Sequence, residues 1–207
     1  MNLQLFQSLC YVINLFSSSI TTVWLVCKYC DVPIVNPEFK AEQLDKYYKK
    51  IKHTFIHSFF GTVFLFHIVS RNFEKTPHTI HIMWYNVSLY VTLVEAAYYG
   101  YHRLVHMKYL YKTVHSTHHE NRVVYPMDSM YVSVIDVMCY VSILHSPALF
   151  INMNYTEFLF CFYFYLTCGF LSHCKIMYDH HAVHHQKFKY NFCLVFPIYD
   201  HVFNTYK

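Results

Sequence analysis

Five histidines fall within the eighteen residues from His102 to His119, spaced H-x-x-x-H and then H-x-x-H-H. A helix advances about 100° per residue, so partners three or four positions apart share a face. His102 and His106 therefore project together, as do His115, His118 and His119. The nine steps from His106 to His115 leave the two sets about half a turn out of phase. One straight helix would hold them on opposite sides. The spacing predicts a break or bend near Met107 to Leu110, with two helices turning their histidine faces toward one point.

A third contributor lies near the C-terminus, where the stretch from Asp179 to His185 repeats H-x-x-H-H through His181, His184 and His185. His173, eight residues before His181, adds a ninth candidate. Eight or nine imidazoles are too many for one ion, since zinc closes its shell with four ligands. Imidazole-rich sites also suit iron, copper and nickel. Two metal ions sharing the cluster is the reading the spacing supports.

The remainder of the chain is unusually apolar. Of 207 residues, 55% are hydrophobic and 20% aromatic, with only three glycines, which does not suit a small soluble fold. A net charge of +4 is too modest to argue for a nucleic-acid partner. The eight cysteines mostly lie inside apolar runs and read as buried thiols. Cys27 and Cys30 form a C-x-x-C with no second pair, which argues against zinc or redox use.

Leu3 to Cys27 is long and apolar enough to span a bilayer, and without a basic leader or a small-residue cleavage site it reads as a retained anchor. Lys28 to Lys52 reads as a polar, lysine-rich loop with Pro33 and Pro37. Thr54 to Ser70 is a second, short span, and Ile80 to Tyr101 a third that runs directly into the first histidine pair. Ser129 to Asn152 and Glu157 to Ser172 form a tight apolar hairpin dipping through or partly through the membrane. If the spans alternate, fourteen Lys and Arg fall on the side carrying all the histidine stretches and two on the other. The positive-inside rule then places the histidines in the cytosol. The fold expected is all-α, with about five membrane-inserted helices and a cytosolic histidine-rich cap. Residues 1–94 would supply anchor helices and the lysine-rich loop, and 95–207 the region that carries the histidine stretches.

Four stretches carry a family resemblance: H-R-L-V-H from His102, L-Y-K-T-V-H-S-T-H-H-E from Leu110, H-H-A-V-H-H-Q-K-F-K-Y-N-F from His180, and Y-D-H-V-F-N-T-Y-K from Tyr199. In pattern and order they resemble the histidine boxes of the fatty acid hydroxylase superfamily, which includes sterol desaturases and sterol methyl oxidases. The resemblance covers about Glu95 to Lys207. It implies an integral membrane oxidoreductase with a di-iron centre, for which zinc can substitute in a purified protein. The implied ligands are His102, His106, His115, His118, His119, His173, His181, His184 and His185. The implied reaction uses O2 and electrons from a cytochrome b-type or similar donor to hydroxylate or desaturate a lipid, either a sterol or a fatty acyl chain. The implied location is the endoplasmic reticulum membrane.

Carboxylates near the boxes are candidates to accept the second ring N–H of a ligating histidine, which fixes its tautomer. Glu95 stands where the family usually has aspartate. Asp128, in Tyr125-Pro126-Met127-Asp128, resembles the family's His-Pro-x-Asp with tyrosine in place of histidine. Asp179 and Asp200 are further candidates, and His180, beside the third box, is given a supporting place of the same kind. Asp136 lies within an apolar run, where a charge is costly unless it faces a cavity or partner; the sequence names neither. Two other function classes remain open. One is a zinc hydrolase acting through a bound water of lowered pKa, which leaves eight or nine histidines unexplained. The other is a non-catalytic metal-binding or degenerate scaffold, against which the intact boxes argue.

Overall fold

Leu3–Tyr29 forms α1, 27 residues without proline or glycine. At 1.5 Å per residue it is about 40 Å long, enough to cross a hydrocarbon core of about 30 Å. The computed structural model describes residues 3–177 and 179–207. The second long helix, α2 (Ala41–Val69), starts at Lys40, whose peptide N–H donates to Oε1 of Gln43 at 2.9 Å. The expected lysine-rich loop 28–52 is therefore only half a loop. Pro33 and Pro37 keep its first part irregular, but 41–52 contains no helix breaker and buries Tyr47 and Ile51, so it becomes the first three turns of α2.

Helix α3 (Ile80–Val105) ends at His106, and α4 is a single turn, Lys108–Leu110, after an extended Met107. The chain breaks within the expected interval. It then continues as a π-helical turn, Tyr111–His115, and a 3-10 turn, His118–Glu120. The apolar hairpin is α5 (Val134–His145) and α6 (Tyr155–Leu171). Its helices are about 18 and 26 Å long, shorter than a bilayer core. A capping box starts α6: Asn154 Oδ1 accepts from the Glu157 N–H, and Glu157 Oε2 accepts from the Asn154 N–H. Helices α7 (His180–Lys187) and α8 (Ile198–Val202) follow in the C-terminal segment.

The architecture is all-α, with no strand among the described residues. Two helical stretches, Leu3–Tyr29 and Ala41–Asn72, are long and apolar enough to cross a membrane, where the sequence suggested about five. Helix α3 has the length but is not among them, and α5 and α6 are short. Helix α1 packs on α6 through hydroxyls as well as apolar groups: Thr167 donates to Ser19 at 3.0 Å, and Thr22 and Tyr163 share a hydrogen bond of 2.7 Å. Tyr90 on α3 donates to the Leu144 carbonyl on α5 at 2.6 Å. Away from these contacts α1 leaves Leu3, Phe6, Ile13, Trp24 and Leu25 exposed, an apolar surface of the kind that marks a membrane or partner contact.

Candidate metal centre

The break after Val105 brings the three histidine stretches to one place. Nine rings sort into two sets: His102, His106, His115, His119 and His184 in one, and His118, His173, His181 and His185 in the other. Within each set the candidate ligand nitrogens all lie within 4.8 Å of one another. That distance is close to the diameter of a shell in which each nitrogen sits roughly 2.0–2.1 Å from a central ion, with room for longer bonds. Eight of the nine rings come from the expected boxes' i, i+4 pairs or their immediate neighbours, and sequence-adjacent histidines separate. His118 and His119 enter different sets, as do His184 and His185. The reason is helical phase, since adjacent residues point about 100° apart whereas i, i+4 partners coincide. The expectation that His115, His118 and His119 face one way is thus corrected: His115 and His119 stay together, and His118 crosses over.

Tautomers follow from the hydrogen bonds on the outer side of the rings. Nδ1–H donates to the carbonyl of Phe192 from His102 (2.8 Å), of Gly169 from His173 (2.8 Å), of Tyr190 from His184 (2.6 Å) and of Asn121 from His185 (3.3 Å). His115 Nδ1–H donates to Asp136 Oδ2 at 2.7 Å. Carbonyl and carboxylate oxygens only accept, so each of these rings holds a proton on Nδ1 and turns Nε2 toward the centre. Those nitrogens converge. His118 Nε2 lies 3.3 Å from His173 Nε2 and 3.2 Å from His185 Nε2, and His184 Nε2 lies 3.0 Å from His106 Nε2 and 3.2 Å from His119 Nε2. One proton on His118 can serve only one of its two neighbours. His102 Nε2 and both ring nitrogens of His181 are buried without a hydrogen-bond partner. A cation in each set would satisfy every converging lone pair at once, so the residues fit a pair of metal ions.

Burial reinforces this. All nine rings except that of His106 are buried. Desolvation, helped by the neighbouring imidazole of His115, pushes His106 down to about 3, and desolvation with like-charge neighbours holds His118, His119, His181, His184 and His185 well below the ordinary value of 6.5. At physiological pH these rings are neutral, the form in which an imidazole can bind a metal.

The carboxylates behave differently from expectation. Glu95 does not reach a histidine: it accepts from Tyr165 and from the peptide N–H groups of Leu194, Val195 and Phe196, at 3.0–3.1 Å. Asp200 likewise accepts from the Phe192 and Cys193 N–H groups, each at 2.8 Å. Both acids grip the returning loop 192–196, and that loop's Phe192 carbonyl orients His102. Asp128 accepts from Tyr47, Asn121 and the Tyr125 N–H, and acts on His185 only through Asn121. Asp179 is exposed at the start of α7. His180 belongs to neither set; its ring lies against the Cys193–Leu194 backbone and its carbonyl accepts from Asn191. The carboxylate that does hold a ring is Asp136, whose other oxygen accepts from Tyr101 at 2.7 Å. Its only signal in the sequence was an acid isolated in an apolar run.

An apolar cavity adjoins the centre. His115, His118 and His173 form one wall, with Asp136 beside them, and Tyr98, Met130, Val137, Tyr140, Leu166 and Phe170 supply much of the remainder. Gly169 belongs to the same lining, and a side chain there would approach the Tyr140 hydroxyl to 3.0 Å.

The family model for fatty acid hydroxylase matches residues 87–205, more than half of the chain and all nine histidines. The chain belongs to the fatty acid hydroxylase family. Among characterised relatives of this fatty acid hydroxylase family member, very-long-chain aldehyde decarbonylase GL1-5 of Oryza sativa subsp. indica is 27% identical over 54% of the chain and 22% of its own length. The decarbonylase GL1-6 of the same rice is 25% identical over 83% of the chain and 31% of its own length. Methylsterol monooxygenase erg25B of Aspergillus fumigatus is 25% identical over 69% of the chain and 56% of its length. The chain thus spans a fifth to a third of the rice proteins it matches. No solved structure matches it.

Proposed function

We propose that this chain is a membrane-bound, two-metal lipid oxidoreductase that uses O2 to oxidise an unactivated C–H position of a lipid. The observation that carries the reading is the convergence of bare imidazole nitrogens into a set of five and a set of four, beside an apolar cavity. An all-nitrogen neutral ligand set suits iron among other metals, and iron is the metal we assign. Bound there, two iron ions would supply O2 activation: one oxygen atom enters the C–H bond, and the other leaves as water with two electrons from an external donor and two protons. Those electrons are assigned to a cytochrome b-type protein.

The chain's own residues do the positioning. Phe192, Gly169, Tyr190 and Asn121 carbonyls and the Asp136 carboxylate fix which nitrogen faces inward in His102, His173, His184, His185 and His115. The apolar cavity wall holds a hydrocarbon against His115, His118 and His173 and excludes water. Lys and Arg enrichment on the histidine side supports a cytosolic cap, and we place the protein in the endoplasmic reticulum membrane.

The rice relatives carry a second reading, in which a long-chain aldehyde is the substrate and the product is a shortened hydrocarbon. Metal analysis of the purified protein, with oxygen uptake and product analysis in the presence of reductant and either membrane lipids or a long-chain aldehyde, tests both. Two metal ions per chain and a hydroxylated or desaturated lipid would support the first reading; a hydrocarbon one carbon shorter would favour the second. A well-folded protein that binds no metal after iron loading would overturn both.

A further inference from the structure

Phe170 is almost fully buried in the last turn of α6, and it lines two cavities at once. On one side is the cavity beside His115, His118 and His173. On the other is a groove that opens at the surface, lined by Ile20, Thr21, Val23 and Trp24 of α1 together with Ile34 and Met127. Every groove residue but Thr21 is apolar, and the rim is stitched by the Met127 N–H donating to the Ile34 carbonyl at 3.1 Å. Trp24 is half-exposed, and the Lys28 ammonium lies 5.0 Å from its ring centroid. An exposed Trp with a Lys at a helix end is the pairing that sits at a membrane–water boundary. The groove therefore opens toward lipid at headgroup depth, with a cation beside its mouth.

We infer that the phenyl ring of Phe170 gates this route, and that a fatty acyl lipid passes from the membrane through the groove to the metal-side cavity. This rests on the lipid oxidation proposed above. The Phe170 backbone is pinned, since its carbonyl accepts from the His173 N–H at 3.2 Å, while the adjacent Gly169 carbonyl accepts from the His173 ring. Opening thus requires a side-chain rotation and leaves His173 in place. The geometry also selects the substrate. A polymethylene chain is no wider than the ring it displaces, whereas a fused-ring sterol is wider and would need α1 and the stitched rim to part. Entry past Phe170 favours a single acyl chain whose polar head stays near Lys28.

The test is photolabelling of the full chain in phosphatidylcholine vesicles with a palmitic acid carrying a diazirine, adducts being located by mass spectrometry. Expected are adducts in the groove, at Thr21, Ile34 or Met127, and in the inner cavity, at Met130 or Leu166. Phe170→Trp keeps the groove adducts and loses the inner ones severalfold; Phe170→Ala raises the inner ones. Met127→Trp, at the partly exposed rim and so tolerant of substitution, lowers both. Inner labelling unchanged by both tryptophan variants would overturn the gate. A diazirine sterol that labels the inner cavity as well as palmitate does would overturn the acyl selectivity. None of these readouts needs a metal. Gated labelling in a protein without metal or turnover would sink the oxidoreductase reading and leave the route standing.

Discussion

Asp136 Oδ2 accepts the Nδ1–H of His115 at 2.7 Å, and among the described residues no other ring of the nine hydrogen-bonds a carboxylate. The other oxygen of Asp136 is taken by Tyr101. A carboxylate there raises the basicity of the ligand as well as fixing its tautomer. Asp136→Asn keeps the volume but removes the charge and sets an amide N–H against one of two donors. The expected result is a metal affinity lowered by about 10- to 100-fold, read by competition with a chromophoric chelator. Tyr101→Phe should give a smaller loss, because the His115 bond survives. Equal metal affinity in Asp136→Asn and the parent would remove Asp136 from the centre.

Metal binding should be nearly silent in protons for most of the site. His118, His119, His181, His184 and His185 are held well below 6.5 by burial and mutual repulsion, and His106 is at about 3. They are already deprotonated near neutrality. The sign for stability is that of depressed bases: the unfolded chain takes up protons that the folded one refuses, so the metal-free protein loses stability as pH falls below about 6.5. The share of the loss that belongs to His106 is complete once that ring protonates in the folded state near 3. Calorimetry of metal binding in buffers of different ionisation enthalpy at neutral pH should show little buffer dependence, and thermal unfolding of the metal-free protein should weaken from pH 7 to pH 5.

Much of the centre was legible because histidine spacing encodes helical phase, and the eight box histidines needed no long-range information to be named. The break between His106 and His115 was legible for the same reason. The assignment of adjacent histidines to opposite sets was readable in principle from the angle of about 100° between neighbours, but not which set each joined. That depends on how α3, the 111–120 segment and α7 meet. Glu95 and Asp200 look from sequence like partners of histidine. They bind peptide N–H groups of a loop about a hundred residues from Glu95, and no local spacing reports such a contact. Asp136 was hidden for the same reason, since its partner lies 21 residues earlier across a loop.

Asp200 should matter for stability before it matters for chemistry. It is fully buried and accepts from two peptide N–H groups and from the Thr205 hydroxyl, all at 2.8 Å. Asp200→Asn turns one acceptor into a donor facing an N–H, and a buried unsatisfied donor costs about 1–3 kcal/mol. Thr205→Val removes the bond to Asp200 and a second one, of 3.1 Å, between the Thr205 and Tyr99 hydroxyls, each worth about 0.5–1.5 kcal/mol, or more where the partner is charged. Thermal unfolding in detergent should rank the parent above both variants. Because the loop they hold presents the Phe192 carbonyl to His102, both should also weaken metal retention.

Phe188 closes the solvent side of the five-histidine set at a conformational cost. It caps α7 with φ 63°, in the left-handed region, where a side chain other than glycine is disfavoured by about 1–2 kcal/mol. Its ring centroid lies 4.7 Å from that of His119 and 6.2 Å from that of Tyr111, and the Arg122 guanidinium sits 4.9 Å from the ring centroid. Strain of this kind persists only where surrounding contacts hold it. Phe188→Gly relieves the backbone and removes the cover, so folding stability should change little while the metal of that set becomes accessible. With a soluble chelator, one of two metals should then leave faster in Phe188→Gly than in the parent, and the second, held by the four-histidine set, at an unchanged rate. His106→Ala, which deletes the most exposed ligand of the same set, should accelerate that same phase. Equal acceleration of both phases by Phe188→Gly would mean that the ring protects the fold as a whole and not one metal.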